Sequence, residues 1–367
     1  MIRLAVPAID ESEVQAVGDV LLSGHLVQGP RVAEFERAVV DRVGVDHGVA
    51  VANCTAALHL TLLGLGVGSG DRVAVTSYSW PATANVIVLC GASPVFVDID
   101  PSTFNMDPDV LSHELRSGHV KAILPVHTFG GMADMSRITR VAAEYGVPVV
   151  EDAACALGAA LSGREAGTWG VAGCFSFHPR KAITTGEGGM VATNDDALAN
   201  ACRALRNHGL DPESPSPDFI MPGFNLRLTE FQAALGLVQM RKLSTLIASR
   251  QCQARIYDNL LAGSDVTRPE SLANATHVYQ SYVILLPPEV ASRRAGIIAH
   301  LKSRGIEATI GTYHMPMTSY FRRRFDYRPG RFPVTDDISA RALSLPLYWG
   351  LSPEQQQQVA IELSTAL

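Results

Sequence analysis

A chain of 367 residues with net charge −6, 47% hydrophobic and 18% charged residues has room for one large α/β domain and a smaller one. The acidic balance and the lack of a basic stripe argue against a nucleic-acid partner, the Arg-rich piece Arg322-Arg323-Arg324 being short and flanked by aromatics. No apolar run approaches a membrane span, residues 1–10 lack a secretory pattern, and six scattered cysteines show no CxxC or metal spacing, so a cytoplasmic protein without a metal is expected.

Taken in order, residues 10–22 and 31–43 read as amphipathic helices of an N-terminal arm spanning 1–45, joined by a Gly-bounded loop. Short apolar strands then alternate with helices. The strands are 49–52, 72–76, 94–99, 120–127 and 147–152. The helices are 55–66, 81–90, 108–116 and 133–145. Such alternation predicts a mostly parallel sheet covered on both faces. Residues 171–193 run apolar–turn–apolar, two strands joined by a loop that carries Lys181 and the Gly-Glu-Gly-Gly turn at 186–189. A helix is expected at 195–207, a Pro/Ser-rich loop at 210–222, and a long helix from near 229 toward 261. Strands at 282–286 and 306–310, a helix at 290–304 and a tail helix at 353–365 predict a small α+β domain. The expected division is a large domain at 1–250 and a small one at 251–367.

Parallel α/β sheets bind ligands beyond the carboxyl ends of their strands. Asn53-Cys54-Thr55, Ser77-Tyr78-Ser79-Trp80, Asp152 and Ser176 all fall at strand ends and converge on one crevice. Of 30 basic residues only four are lysine, so Lys181 stands out as an amine that arginine cannot replace. At the edge of a core it is expected to lose some of its charge to burial and become nucleophilic. Backbone N–H groups of Thr55 and Ala56, at a helix start, with the Ser176 hydroxyl, could hold one phosphate, although Thr55 alone also reads as a helix cap. Trp80 offers a flat face for a ring, or equally a core aromatic. Asp152, at the end of an apolar strand, needs a cationic partner that a pyridinium nitrogen would supply. An amine for an aldehyde, a carboxylate for a ring nitrogen, a stacking aromatic and a phosphate cup are together the needs of pyridoxal 5′-phosphate. Glu151 is expected to point away from the crevice and be bonded elsewhere.

The segments LLSGHLVQGPRVAEFE, NCTAALHL, SYSWPATAN, PVFVDID, EDAACALGA, SFHPRKAITTGEGG, RNHG and GFNLRLTEFQAALGLVQM resemble the DegT/DnrJ/EryC1/StrS family of sugar aminotransferases, across nearly the whole chain. The resemblance implies a three-layer α/β/α domain of the aspartate aminotransferase type (fold type I) and a small C-terminal α+β domain. It implies that Lys181 forms the Schiff base with the cofactor and later shuttles a proton. It also implies that Asp152 pairs with the pyridine nitrogen, that Trp80 stacks on the ring, and that Thr55, Ala56 and Ser176 hold the phosphate. Asn225, by itself a turn residue, would reach the phosphate of a neighbouring subunit, making a homodimer with shared sites. Tyr313 and His314 lie where the family closes over the sugar, although His314 reads as well as a satisfied loop histidine. Cys155 departs from the family's Gln or His near the cofactor's 3′-hydroxyl, and Cys54 from a common Gly. The activity implied is transfer of an amino group from an amino acid, L-glutamate foremost, to a nucleotide-linked keto-deoxysugar. A keto-inositol aminotransferase using glutamine and a non-catalytic cofactor-binding protein are the alternatives.

Overall fold

The computed structural model describes residues 1–116 and 118–367. Seven strands cross its larger part: β1 (His47–Val51), β2 (Arg72–Thr76), β3 (Ser93–Val97), β4 (Ala122–Leu124), β5 (Val150–Asp152), β6 (Ala172–Ser176) and β7 (Gly189–Thr193). Two ladders, β3-β2-β4 and β5-β6-β7-β1, are joined by the parallel bridges Ile123↔Val149 and Val126↔Asp152. The strand order is therefore β3-β2-β4-β5-β6-β7-β1. Only β7 runs against the others, pairing antiparallel with both β6 and β1. A parallel return needs a crossover helix, and the chain between Ser176 and Gly189 contains only a loop.

Side chains alternate across this sheet. Ala50, Ala74, Val95, Ile123, Phe175 and Met190 enter one apolar cluster, while Val49, Val73, Phe96, Leu124, Cys174 and Val191 enter another. Helices bury both faces, which explains why the strands read as continuous apolar runs. The α/β three-layer expectation holds. The strand 72–76 has the expected limits, those expected at 49–52 and 94–99 lie one or two residues earlier, and those at 147–152 and 120–127 contracted, the latter to Ala122–Leu124.

The helix Glu230–Leu260 is unbroken over 31 residues and packs on the helices Glu11–Ser23 and Pro30–Val43. It also fastens one of them. Pro30–Val43 starts at Gly29, which has no side chain to cap it. The Glu230 carboxylate instead accepts from the N–H groups of Gly29 (2.8 Å), Arg31 (2.9 Å) and Val32 (2.9 Å). That satisfies donors a helix start leaves open.

Beyond the long helix lies a small antiparallel sheet in which Tyr282–Leu285 and Thr309–Ile310 both pair with Ala342–Leu345. The central strand, Ala342–Leu345, is absent from the sequence reading. Ile2 joins the core of this part, beside Tyr257, Leu301 and Ile306, through a parallel bridge to Ile306. A two-residue ribbon, Tyr78–Ser79 against Tyr313–His314, ties the end of β2 to the C-terminal segment.

Candidate active site

The parallel strands end along one edge, and the predicted residues gather there. Asn53 follows β1, Trp80 follows β2 and its ribbon, Asp152 closes β5 and Ser176 closes β6. The first residue of β7, Gly189, pairs with both Val51 and Ser176. A Cβ on Gly189 would lie 2.4 Å from the carbonyl carbon of Asn53, so the strand and the turn before the helix Cys54–Gly64 touch backbone to backbone. Gly186 serves a different need: its φ of +81° is the left-handed turn of the Lys181 loop.

Lys181 is half-buried, and its Nζ donates to the Cys155 sulfur at 3.0 Å. Burial works against the ammonium. The adjacent Cys155, with Cys54 and Asp152, outweighs it and holds the amine above its ordinary pKa. The sequence reading, arguing from burial alone, expected the reverse. Its loop is docked from behind: Gln280 Nε2 donates to the Arg180 carbonyl at 3.0 Å. The buried Arg250 guanidinium reaches the carbonyls of Tyr279, Gln280 and Leu347 at 3.2–3.3 Å and that of Lys181 at 3.5 Å. Burial lowers Arg250 to about 10.

Asp152 is 4% exposed. Its Oδ2 accepts from the Thr83 hydroxyl at 2.7 Å and its Oδ1 from the Ala154 N–H at 3.1 Å. Burial raises this carboxyl above its ordinary pKa, and the two hydrogen bonds, Lys181 and His127 only partly offset that. Glu151 points to the opposite side, as expected. It accepts from the N–H groups of Gly167 (2.8 Å), Trp169 (2.6 Å) and Gly170 (2.8 Å) and meets His127 Nε2 at 2.8 Å. Because the Ala133 N–H donates to His127 Nδ1, the ring proton sits on Nε2, facing Glu151.

At the start of Cys54–Gly64 the capping residue is Asn53, whose side chain accepts from the Ala56 N–H at 2.9 Å. Thr55 is thus one residue inside the helix, not its cap. An anion here would take the N–H of Thr55 and compete with Asn53 for that of Ala56. The Ser176 hydroxyl is half-buried and accepts from the His178 N–H at 3.4 Å. Trp80 is 61% exposed and meets Tyr313 edge-on, ring centres 5.3 Å apart. The adjacent ribbon carries Tyr313 beside Ser79, and Tyr313 is 40% exposed. His314 turns inward instead: Nε2 meets Asp336 Oδ1 at 2.9 Å and the ring packs edge-on against Phe332. Burial lowers its pKa despite Asp336. Asn225 is exposed, on a short bridge to Asn207.

Thr83 and Arg250 are missing from the sequence reading. Thr83 stands in the first turn of the helix Ala82–Leu89, where a hydroxyl passes for a cap. Arg250 lies on the long helix among other charged residues, with no pattern to set it apart.

These groups fit pyridoxal 5′-phosphate. Asp152 is buried with two donors and no side-chain cation bonded to it, which suits a protonated ring nitrogen. Lys181 lies within its electrostatic reach, a helix start and a hydroxyl suit a phosphate, and Trp80 leaves a flat face open. The model of the DegT/DnrJ/EryC1/StrS aminotransferase family matches residues 7–364. The chain belongs to this family. It is 37% identical to a GDP-perosamine synthase of Caulobacter vibrioides over 100% of this chain and 98% of that protein. It is 36% identical to a pleiotropic regulatory protein of Geobacillus stearothermophilus over 98% of each. Among solved structures, Helicobacter pylori PseC, an aminotransferase involved in the biosynthesis of pseudoaminic acid, superposes with a TM-score of 0.93. The two are 29% identical, over 99% of this chain and 98% of PseC. This family member is a pyridoxal 5′-phosphate-dependent aminotransferase of the fold type I architecture. Among the described residues no helix is long and apolar enough to cross a membrane, and no cluster could hold a metal ion.

Proposed function

We propose that the chain moves an amino group from L-glutamate to the keto group of a nucleotide-linked deoxysugar, as a homodimer. The observation that carries the chemistry is the meeting of Lys181 and Asp152 at one strand edge, an amine and a buried carboxylate from different strands and loops. The sugar-nucleotide class is supported by the relatives, a GDP-perosamine synthase and an amino-sugar aminotransferase. When bound, pyridoxal 5′-phosphate supplies an aldehyde that carries the amino group and a ring that takes up the electron pair left by a departing α-proton.

The protein's own groups do the rest. Lys181 Nζ removes the proton from the donor's α-carbon and returns it elsewhere, as a general base and then a general acid. Asp152 holds a proton on the ring nitrogen. Ser176 and the start of the helix Cys54–Gly64 anchor the phosphate. Trp80 would lie over the cofactor ring, and Tyr313, exposed at the mouth, faces the sugar side. Asn225 and the apolar residues Leu22, Val27, Phe219 and Ile220, all exposed in the single chain, support a partner subunit that covers them and shares the phosphate. No feature favours a keto-inositol acceptor, and the presence of both Lys181 and Asp152 weighs against a purely regulatory role.

Purified protein is expected to be yellow. L-Glutamate should bleach the visible band, and a nucleotide keto-deoxysugar should restore it while 2-oxoglutarate is released. A band that no amino acid changes would refute amino transfer. Restoration by a keto-inositol and by no nucleotide sugar would refute the substrate class.

A further inference from the structure

The Asp152 carboxylate does not stand alone. Thr83 Oγ1 lies 2.7 Å from Asp152 Oδ2, and Ser79 Oγ lies 3.2 Å from Thr83 Oγ1. All three residues are buried: Ser79 at 6%, Thr83 at 1% and Asp152 at 4% exposure. A carboxylate can only accept, so the Thr83 hydroxyl gives its one proton to Asp152. Its oxygen is then left to accept from Ser79. The chain of donors runs one way, Ser79 to Thr83 to Asp152.

We propose that Thr83 is a positioning residue for the aminotransferase reaction, holding Asp152 ionised and aimed so that it can keep the cofactor's ring nitrogen protonated. This inference rests on the reading of Asp152 as the partner of that nitrogen. Two independent facts carry it. A buried carboxylate needs donors to stay charged, and Asp152 has one side-chain donor besides a backbone N–H. Thr83 is also held in place by its own element. It sits in the first turn of Ala82–Leu89, with its N–H bonded to the Trp80 carbonyl at 3.2 Å. The residue that holds the carboxylate and the residue that faces the ring are thereby fixed in one turn. Ser79, on the ribbon paired with Tyr313, links the same chain of hydroxyls to the segment at the sugar side. Of the interactions that favour the charged form of Asp152, the Thr83 bond is the largest.

The test uses holoenzyme variants carrying cofactor labelled with ¹⁵N in the ring. Thr83→Val keeps the shape of the side chain and removes the donor. It is expected to shift the ring-nitrogen resonance toward the unprotonated position and to speed cofactor loss on dialysis about tenfold, the effect of one charge-assisted hydrogen bond. Thr83→Ser restores the donor and should return both readouts to within about twofold of wild type. Should Thr83→Val fail to fold, Thr83→Ala, which adds no methyl group to accommodate, is read by the same two measurements. A wild-type resonance and wild-type retention in the donor-less variant, alongside a clear loss in Asp152→Asn, would overturn the role of Thr83 alone. An unchanged resonance in Asp152→Asn would remove the reading of Asp152 first, and the role of Thr83 with it.

Discussion

Burial holds the Asp152 carboxyl above its ordinary pKa, against the pull of Thr83, Ala154, Lys181 and His127. The consequence for stability has a definite sign. With the folded pKa raised, the folded chain keeps a proton that the unfolded chain has lost. Stability therefore falls as pH rises from the ordinary aspartate value, about 3.9, through the folded value. Asp152→Asn does not titrate. After the cofactor is stripped, thermal melts of the two proteins between mild acid and neutrality should show the variant gaining on the wild type as pH rises. A constant gap over that range would show that the carboxyl is unperturbed. Lys181 has the same sign in a more alkaline window. Its raised pKa contributes stability that is complete below the ordinary lysine value, about 10.4, and is lost as pH climbs through the folded one.

The helix Pro30–Val43 depends on a residue two hundred positions away. Glu230 is 3% exposed and its carboxylate binds three backbone N–H groups at that helix start. Glu230→Ala leaves those donors buried without a partner. It should destabilise the fold by about 3 kcal/mol, the cost of losing charge-assisted bonds to a helix N-terminus. Denaturant unfolding measures this, and a change below about 0.5 kcal/mol would mean that solvent reaches the helix start. The same pattern, one element completing another, recurs where Gly189 of β7 lets the turn before Cys54–Gly64 approach the sheet.

For the whole molecule the proposed partner subunit sets the prediction. Leu22 at 89%, Val27 at 72% and Phe219 at 65% exposure are large apolar side chains open to solvent in the single chain, and a second subunit would cover them. If Asn225 serves the neighbour's phosphate, Lys181→Ala and Asn225→Asp damage different chains of each site. A hybrid dimer of the two variants then has one site with both lesions and one with neither. Each variant alone should be nearly inactive, and co-expression should recover about a quarter of wild-type activity, from random pairing in a two-fold dimer. Activity that stays at the level of the separate variants would place Asn225 in the same site as its own Lys181, or outside the site.

The sequence alone determined the local choices, because period-2 and period-3.6 apolar patterns and turn residues act over short range. The order of strands and helices through Asp152, the hairpin around Lys181 and the candidates Asp152, Ser176 and Lys181 could all be read there. It did not show the strand Ala342–Leu345, whose apolar run gains meaning only between Tyr282–Leu285 and Thr309–Ile310. Nor did it show Thr83, which looks like any hydroxyl in a first helical turn until folding sets it 2.7 Å from Asp152. The charge of Lys181 was also decided by tertiary structure. Burial can be read from an apolar context, but the sulfur of Cys155 at 3.0 Å cannot. Coulomb and hydrogen-bond energies depend on distances that only the folded chain defines.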